Sequence, residues 1–168
     1  MRWSRVVVTG VVVASMVVGV RSGRADGRTF VYQEAQVAMD VPSTWTGQVD
    51  SDDGSIGFSD ASNTFVVGIR AMDAGDLSLA LVGVLGILKL MFHDMHCQDP
   101  EYTWQHSMQS IRFSCVVQKG DEEAQVEVRV LDSPRKYLLE MAVYTDRTGY
   151  RQITAIRSFS NSIRPMRD

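Results

Sequence analysis

Between residues 30 and 41 apolar and polar side chains alternate, with Val31, Ala35, Val37, Met39 and Val41 on one parity and Gln33 the exception. A period of two describes a half-buried strand. In "VPSTW" Pro42 closes that strand and Trp45 opens a short successor. "SIGFS" and "TFVVGIRAM" read as two further strands, the second with Phe65, Val67, Ile69 and Ala71 on one face. The Asp, Ser and Gly run "DSDDGS" (residues 50–55) supplies turn chemistry between them. It does not match a calcium loop, because the twelfth position from Asp50 is Ala61.

The period then lengthens. Asp76 is a good N-cap for the leucine-rich "LSLALVGVLGILKLMFHDMH". At 100° per residue, Leu77, Leu81, Val84, Leu85, Leu88, Phe92 and Met95 form one broad stripe. Leu79, Gly83, Gly86 and Leu90 lie on the opposite side, so the helix is apolar nearly all round. Such a helix is buried on two sides or leaves a sticky face uncovered. Lys89 and the short length argue against a membrane span.

Three more strands follow. Ile111, Phe113, Cys115 and Val117 share a face, "QKGDEE" marks a hairpin turn, and Ala124, Val126, Val128 and Val130 alternate with polar residues. After "DSPRK" comes the strand "YLLEMAVYT". Tyr150, Ile153, Ile156, Phe159 and Ile163 then recur at steps of three and four, an amphipathic helix stopped by Pro165. The order predicts an α+β fold: an antiparallel sheet of about six strands with one long mid-chain helix and a C-terminal helix packed on it.

The opening "MDVPSTW", the mid-chain helix, the meander "FSCVVQKGDEEAQVEVRVLDSPRKYLLEMAVY" and the closing "IRSFSNSIRP" together resemble the PsbP-like superfamily over roughly residues 30–165. The resemblance implies a sandwich of this class and an accessory or binding role. It offers no shared catalytic motif to carry over.

The N-terminus changes the picture of compartment. A basic start, Met1 to Arg5, precedes the apolar run Val6–Val20 and then "RSGRA". That order describes a secretory signal peptide over residues 1–25, with an uncleaved membrane anchor as the alternative. The remaining 143 residues, 26–168, suffice for a single domain. Four of the 17 basic residues and none of the 20 acidic ones lie in the leader, so this domain carries a net charge of −7. Its basic residues are scattered, which argues against nucleic acid as a partner.

"FHDMHC" (residues 92–97) concentrates the candidate chemistry. An exported chain with two cysteines, Cys97 and Cys115, most simply joins them in a disulfide. A regular helix through residue 97 would turn Cys97 about 160° away from the Leu81 stripe, so the bridge requires the helix to end near His96 or its second face to be the buried one. His93, His96 and His106, with nearby methionines, offer the alternative of a copper or zinc site, although the spacing fits no strong motif. Histidines at a helix end also serve its dipole without a ligand. A nucleophilic Cys97 has the right residue types around it and no flanking signature. Trp45, Trp104 and Tyr102 are candidates for a groove or for buried anchors.

The expectation is an exported, non-enzymatic binding or accessory module of the cell envelope, without a cofactor. It would meet an unknown protein or small apolar ligand, and Leu79, Gly83, Gly86 and Leu90 offer an interface that would also suit a homodimer. The alternative is a periplasmic copper or zinc handling protein built on the three histidines.

Overall fold

The structure is a computed structural model that describes residues 27–166 apart from 93, 120 and 121. The expected leader lies outside the described residues. Strands β1 (Gly27–Tyr32), β2 (Val37–Pro42), β3 (Thr46–Val49), β4 (Ile56–Ser59) and β5 (Phe65–Met72) precede the helix α1 (Leu77–Met91). Then come β6 (Met95–Cys97), β7 (Glu101–Gln105), β8 (Met108–Lys119), β9 (Glu122–Asp132) and β10 (Tyr137–Thr145). Helix α2 (Tyr150–Ser162) and the two-residue β11 (Arg164–Pro165) close the fold.

The expected six strands become eleven among the described residues, in two antiparallel sheets. One runs β3-β4-β5-β10-β9-β8-β6, with β7 also paired to β8; the other is β1-β2-β11. Much of the difference lies in short pieces that a hydrophobic period is too coarse to resolve. The single strand expected over 30–41 is a hairpin whose turn occupies 33–36. Gln33, which broke the alternation, opens that turn, and Gln36 closes it with a positive φ of 53°; the inward parity changes across the turn, so β1 packs Phe30 and Tyr32 on the core rather than the expected Val31. Pro165 ends α2 as expected, and Arg164 and Pro165 pair with β2.

The large sheet packs a layer on each of its faces, fully over its centre and only in part towards β3 and the β8 edge. On one side Val126, Val128 and Val130 of β9 and Ile111, Phe113, Cys115 and Val117 of β8 meet Ala80, Val84 and Leu88 of α1. On the other, Phe65, Val67 and Ile69 of β5 with Leu138 and Ala142 of β10 meet Ile156 and Phe159 of α2 and the inner face of β1-β2. Trp45 is buried there, its ring 5.0 Å from that of Phe65 and 5.5 Å from that of Phe159. Burying each large apolar side chain contributes roughly 1.5–3 kcal/mol, so these two layers hold the sheet between them.

Asp76 caps α1 as its sequence predicts, accepting the Leu79 amide at 2.8 Å. The helix stops at Met91, earlier than the apolar run suggests, with Phe92 extended as its C-cap. Residues 95–97 therefore leave the helix and enter the sheet. Cys97 falls opposite Cys115 in the β6–β8 register, and the two form a disulfide.

Candidate functional site

Two features stand out on the finished scaffold: the outer face of α1 and a polar cleft beside α2. Leu79, Gly83, Gly86 and Leu90, the second stripe of the helix, are all exposed. Leu79 is 58% exposed, Val82 65% and Leu90 87%. A Cβ built on Gly83 or on Gly86 would meet nothing within 4 Å, so the surface there is shallow and open. The buried stripe is Ala80, Val84, Leu88 and Phe92, displaced slightly from the expected one, with Leu81 and Leu85 at its margin.

The cleft, of about 400 Å³, lies between the β8–β9 part of the sheet and the last turns of α2. The alternation of β8, β9 and β10 sends Arg112, Glu127, Arg129 and Glu140 to the face that α2 covers only in part, and α2 adds Arg157, Ser160 and Asn161. Glu140 is 3% exposed. Its Oε1 accepts the Ser160 hydroxyl, and its Oε2 has no hydrogen-bond partner among the described residues. Arg129 Nη1 is 3.9 Å from that oxygen and donates instead to Gln105 Oε1 and to the Ser160 carbonyl at 2.9 Å. Burial pushes the Glu140 carboxyl above its ordinary range, with Arg129 and the Ser160 hydroxyl acting against the rise. Glu127 accepts the Tyr144 hydroxyl at 2.6 Å and faces Arg157 at 3.7 Å. Burial, and then this hydrogen bond, push the Tyr144 phenol up.

His96 and His106, two of the three histidines in the candidate metal cluster, are not brought together. His96 lies opposite Val116, whereas His106 sits in the turn beyond Met108 at the far end of the same strand. Eight residues of strand separate them, about 26 Å at 3.3 Å per residue, so one ion cannot bind both. His93 lies outside the described residues. Among the described residues no group of three or more His, Cys, Asp or Glu side chains is placed to hold a metal ion.

His106 has a structural task instead. With Ser107 it makes a two-residue hairpin turn with positive φ at both positions, and its Nε2 donates to the Asn161 carbonyl at 2.9 Å. Gln105 donates to the Ser160 and Ile163 carbonyls at 2.7 and 2.9 Å. The β7–β8 hairpin thus satisfies the carbonyls that the end of α2 leaves free. Nothing in the sequence marks Gln105 or Glu140 for these roles, because each partner lies 20 or more residues away.

Cys97 and Cys115 are joined, which leaves no thiol for nucleophilic chemistry. Trp45 is a buried anchor, while Tyr102 and Trp104 of β7 are exposed. The acidic 50–60 segment is turn scaffolding: Asp50 Oδ1 accepts the Asp52 amide, Asp60 Oδ1 that of Ser62, and Asp53 pairs with Arg70 at 3.1 Å.

No protein-family model matches the sequence, and no curated protein matches it significantly. Solved structures do. The chain is similar to cyanobacterial PsbP from Synechocystis sp. PCC 6803, at 12% identity and a TM-score of 0.59, over 86% of this chain and 96% of that one. It is also similar to LpqN, described as involved in cell envelope biogenesis of Mycobacterium tuberculosis, at 15% identity and a TM-score of 0.57 over 76% and 82%. A Bacteroides thetaiotaomicron protein matches at 12% identity and 0.59 over 86% of this chain, which spans about half of that protein's length. The fold is therefore PsbP-like. At these identities the likeness concerns architecture.

Proposed function

We propose that the chain is an exported, non-enzymatic accessory module of the cell envelope that docks on a protein partner through the outer face of α1. The observation that carries this reading is the run of exposed Leu79, Val82 and Leu90 around two glycines on one helix face. Leaving such a surface in water is unfavourable and marks interaction sites. Glycines in a helix interior each cost about 1 kcal/mol relative to alanine, and here they keep the surface low enough for a partner backbone to approach. The disulfide suits an oxidising compartment. No described helix is long and apolar enough to cross a membrane. LpqN shares the fold and is described as acting in envelope biogenesis.

Site-specific photo-crosslinking of the full chain in its own cells tests the proposal. A crosslinker at Gly86 should give a discrete protein adduct, one at Gln48 on the exposed strand β3 should not, and Leu90→Glu should remove the adduct without lowering thermal stability. A homodimeric adduct would identify a second copy as the occupant. No adduct at position 86, or one indifferent to Leu90→Glu, would overturn the reading.

A further inference from the structure

The polar cleft has an internal mismatch that points to a ligand. Glu101, Arg112, Arg129 and Glu140 stand in one cross-strand row from β7 to β10. Two arginines directly opposite one another repel, as like charges across a strand pair do. Arg112 is neutralised, its Nη2 2.8 Å from Glu101. Arg129 is not matched in the same way. At 3.9 Å its guanidinium is beyond direct hydrogen-bond reach of Glu140 Oε2, and that buried oxygen accepts no hydrogen bond among the described residues. A buried carboxyl oxygen without a partner is costly. The same cleft thus holds an unsatisfied carboxyl oxygen and an incompletely matched guanidinium side by side.

We propose that this cleft binds a small organic carboxylate, held by Arg129 and Arg157 and hydrogen-bonded to Glu140 Oε2 through one shared proton. A carboxylate presents two coplanar oxygens that fit a guanidinium fork. Two carboxyl groups in contact hold a single proton between them, and that proton is the one Glu140 already carries below its own pKa, or one taken from solvent above it. A cationic ligand at Glu140 would lie against Arg129. An apolar ligand would leave the Glu140 oxygen desolvated and without a partner. A sugar would lack a stacking platform, because Phe113, the one aromatic residue of the lining among the described residues, is buried.

The charges around Glu140 agree. Arg129 and Glu127 face it from β9, Arg157 from α2, Arg112 from β8, and Glu101 and Asp99 stand at the rim. Among the described residues, three guanidiniums balance three carboxylates when Glu140 is protonated and the lining is neutral; with Glu140 ionised it is negative and repels an anion. The protonated state is the one that burial favours. Affinity should therefore fall by about tenfold for each pH unit above the Glu140 pKa.

Titration of the purified protein with succinate, by calorimetry and by amide NMR at about pH 5 and about pH 8, decides the matter. Binding is expected at the lower pH, with shifts centred on the Ser160 and Asn161 amides and weakening once pH rises past the point where Glu140 ionises. Glu140→Gln, a neutral donor of the same shape, should bind at both. Arg129→Gln should weaken binding at least about tenfold, and Arg157→Gln, exposed on α2, provides the same test where Arg129→Gln does not fold. Absence of binding at the lower pH, binding that neither Arg129→Gln nor Arg157→Gln weakens, or tighter binding of inorganic phosphate than of succinate would overturn the assignment.

Discussion

Cys97 stands directly across from Cys115 in the pairing of β6 with β8, with their Cα atoms 4.0 Å apart and their sulfurs bonded. The relation exists because α1 ends at Met91, which frees residues 95–97 to extend along the sheet. The bridge ties the segment after α1 to the strand that α1 covers, so it holds helix and sheet in register.

Replacing both cysteines by serine should cost about 3 kcal/mol, the loop-closure value for a separation of 18 residues. The melting temperature of a domain this size should fall by roughly 10 °C. Urea unfolding of the oxidised and doubly substituted proteins measures the difference, and equal stabilities would show that the bridge adds nothing.

Gly83→Ala and Gly86→Ala should each raise stability by up to about 1 kcal/mol, because the added methyl enters open space on a helix interior. The same substitutions should weaken partner docking. Opposite movement of melting temperature and crosslinking yield would separate the two roles of α1.

Trp45→Ala should be severe, at about 3–5 kcal/mol, since it empties a site packed between Phe65 and Phe159. Trp104→Ala should stay within about 0.5 kcal/mol, because that ring is exposed on β7. Chemical denaturation of the two variants tests the contrast.

Glu140→Gln should stabilise the protein increasingly as pH rises. The folded-state pKa of Glu140 is raised, so the folded chain holds this proton more tightly than the unfolded chain. The wild type is then most stable below the unfolded glutamate pKa and loses stability as pH climbs through the folded value. Melting curves of both proteins should converge near about pH 4 and diverge towards about pH 8. Parallel curves would mean that Glu140 titrates normally.

Legibility from the sequence followed the range of the forces involved. Alternation within β5, β8 and β9, the Asp76 cap and the stripe of α2 from Ile153 onward are local, and each appears where the residue pattern puts it, whereas Tyr150, expected on that stripe, is 83% exposed at the start of the helix. The end of α1 was less visible, because Phe92 and Met95 continue the apolar stripe of the helix before them. What stops the helix is the pairing of Met95, His96 and Cys97 with Val117, Val116 and Cys115 of β8. The exposure of Leu79, Val82 and Leu90 could be posed from periodicity as a choice between a second burial and an open face, and packing decided it.

By itself the sequence determined the α+β class, the faces of β2, β5, β8 and β9 and the presence of both helices, and it made Cys97–Cys115 the simplest pairing, since period, capping and cysteine number act within short stretches of chain. Tertiary structure alone decided that His96 and His106 stand at opposite ends of one strand, that β7 and β8 support the end of α2, and that Arg129, Glu140 and Ser160 meet in one cleft. Those meetings depend on sheet order and register, which arise from the whole chain closing on itself.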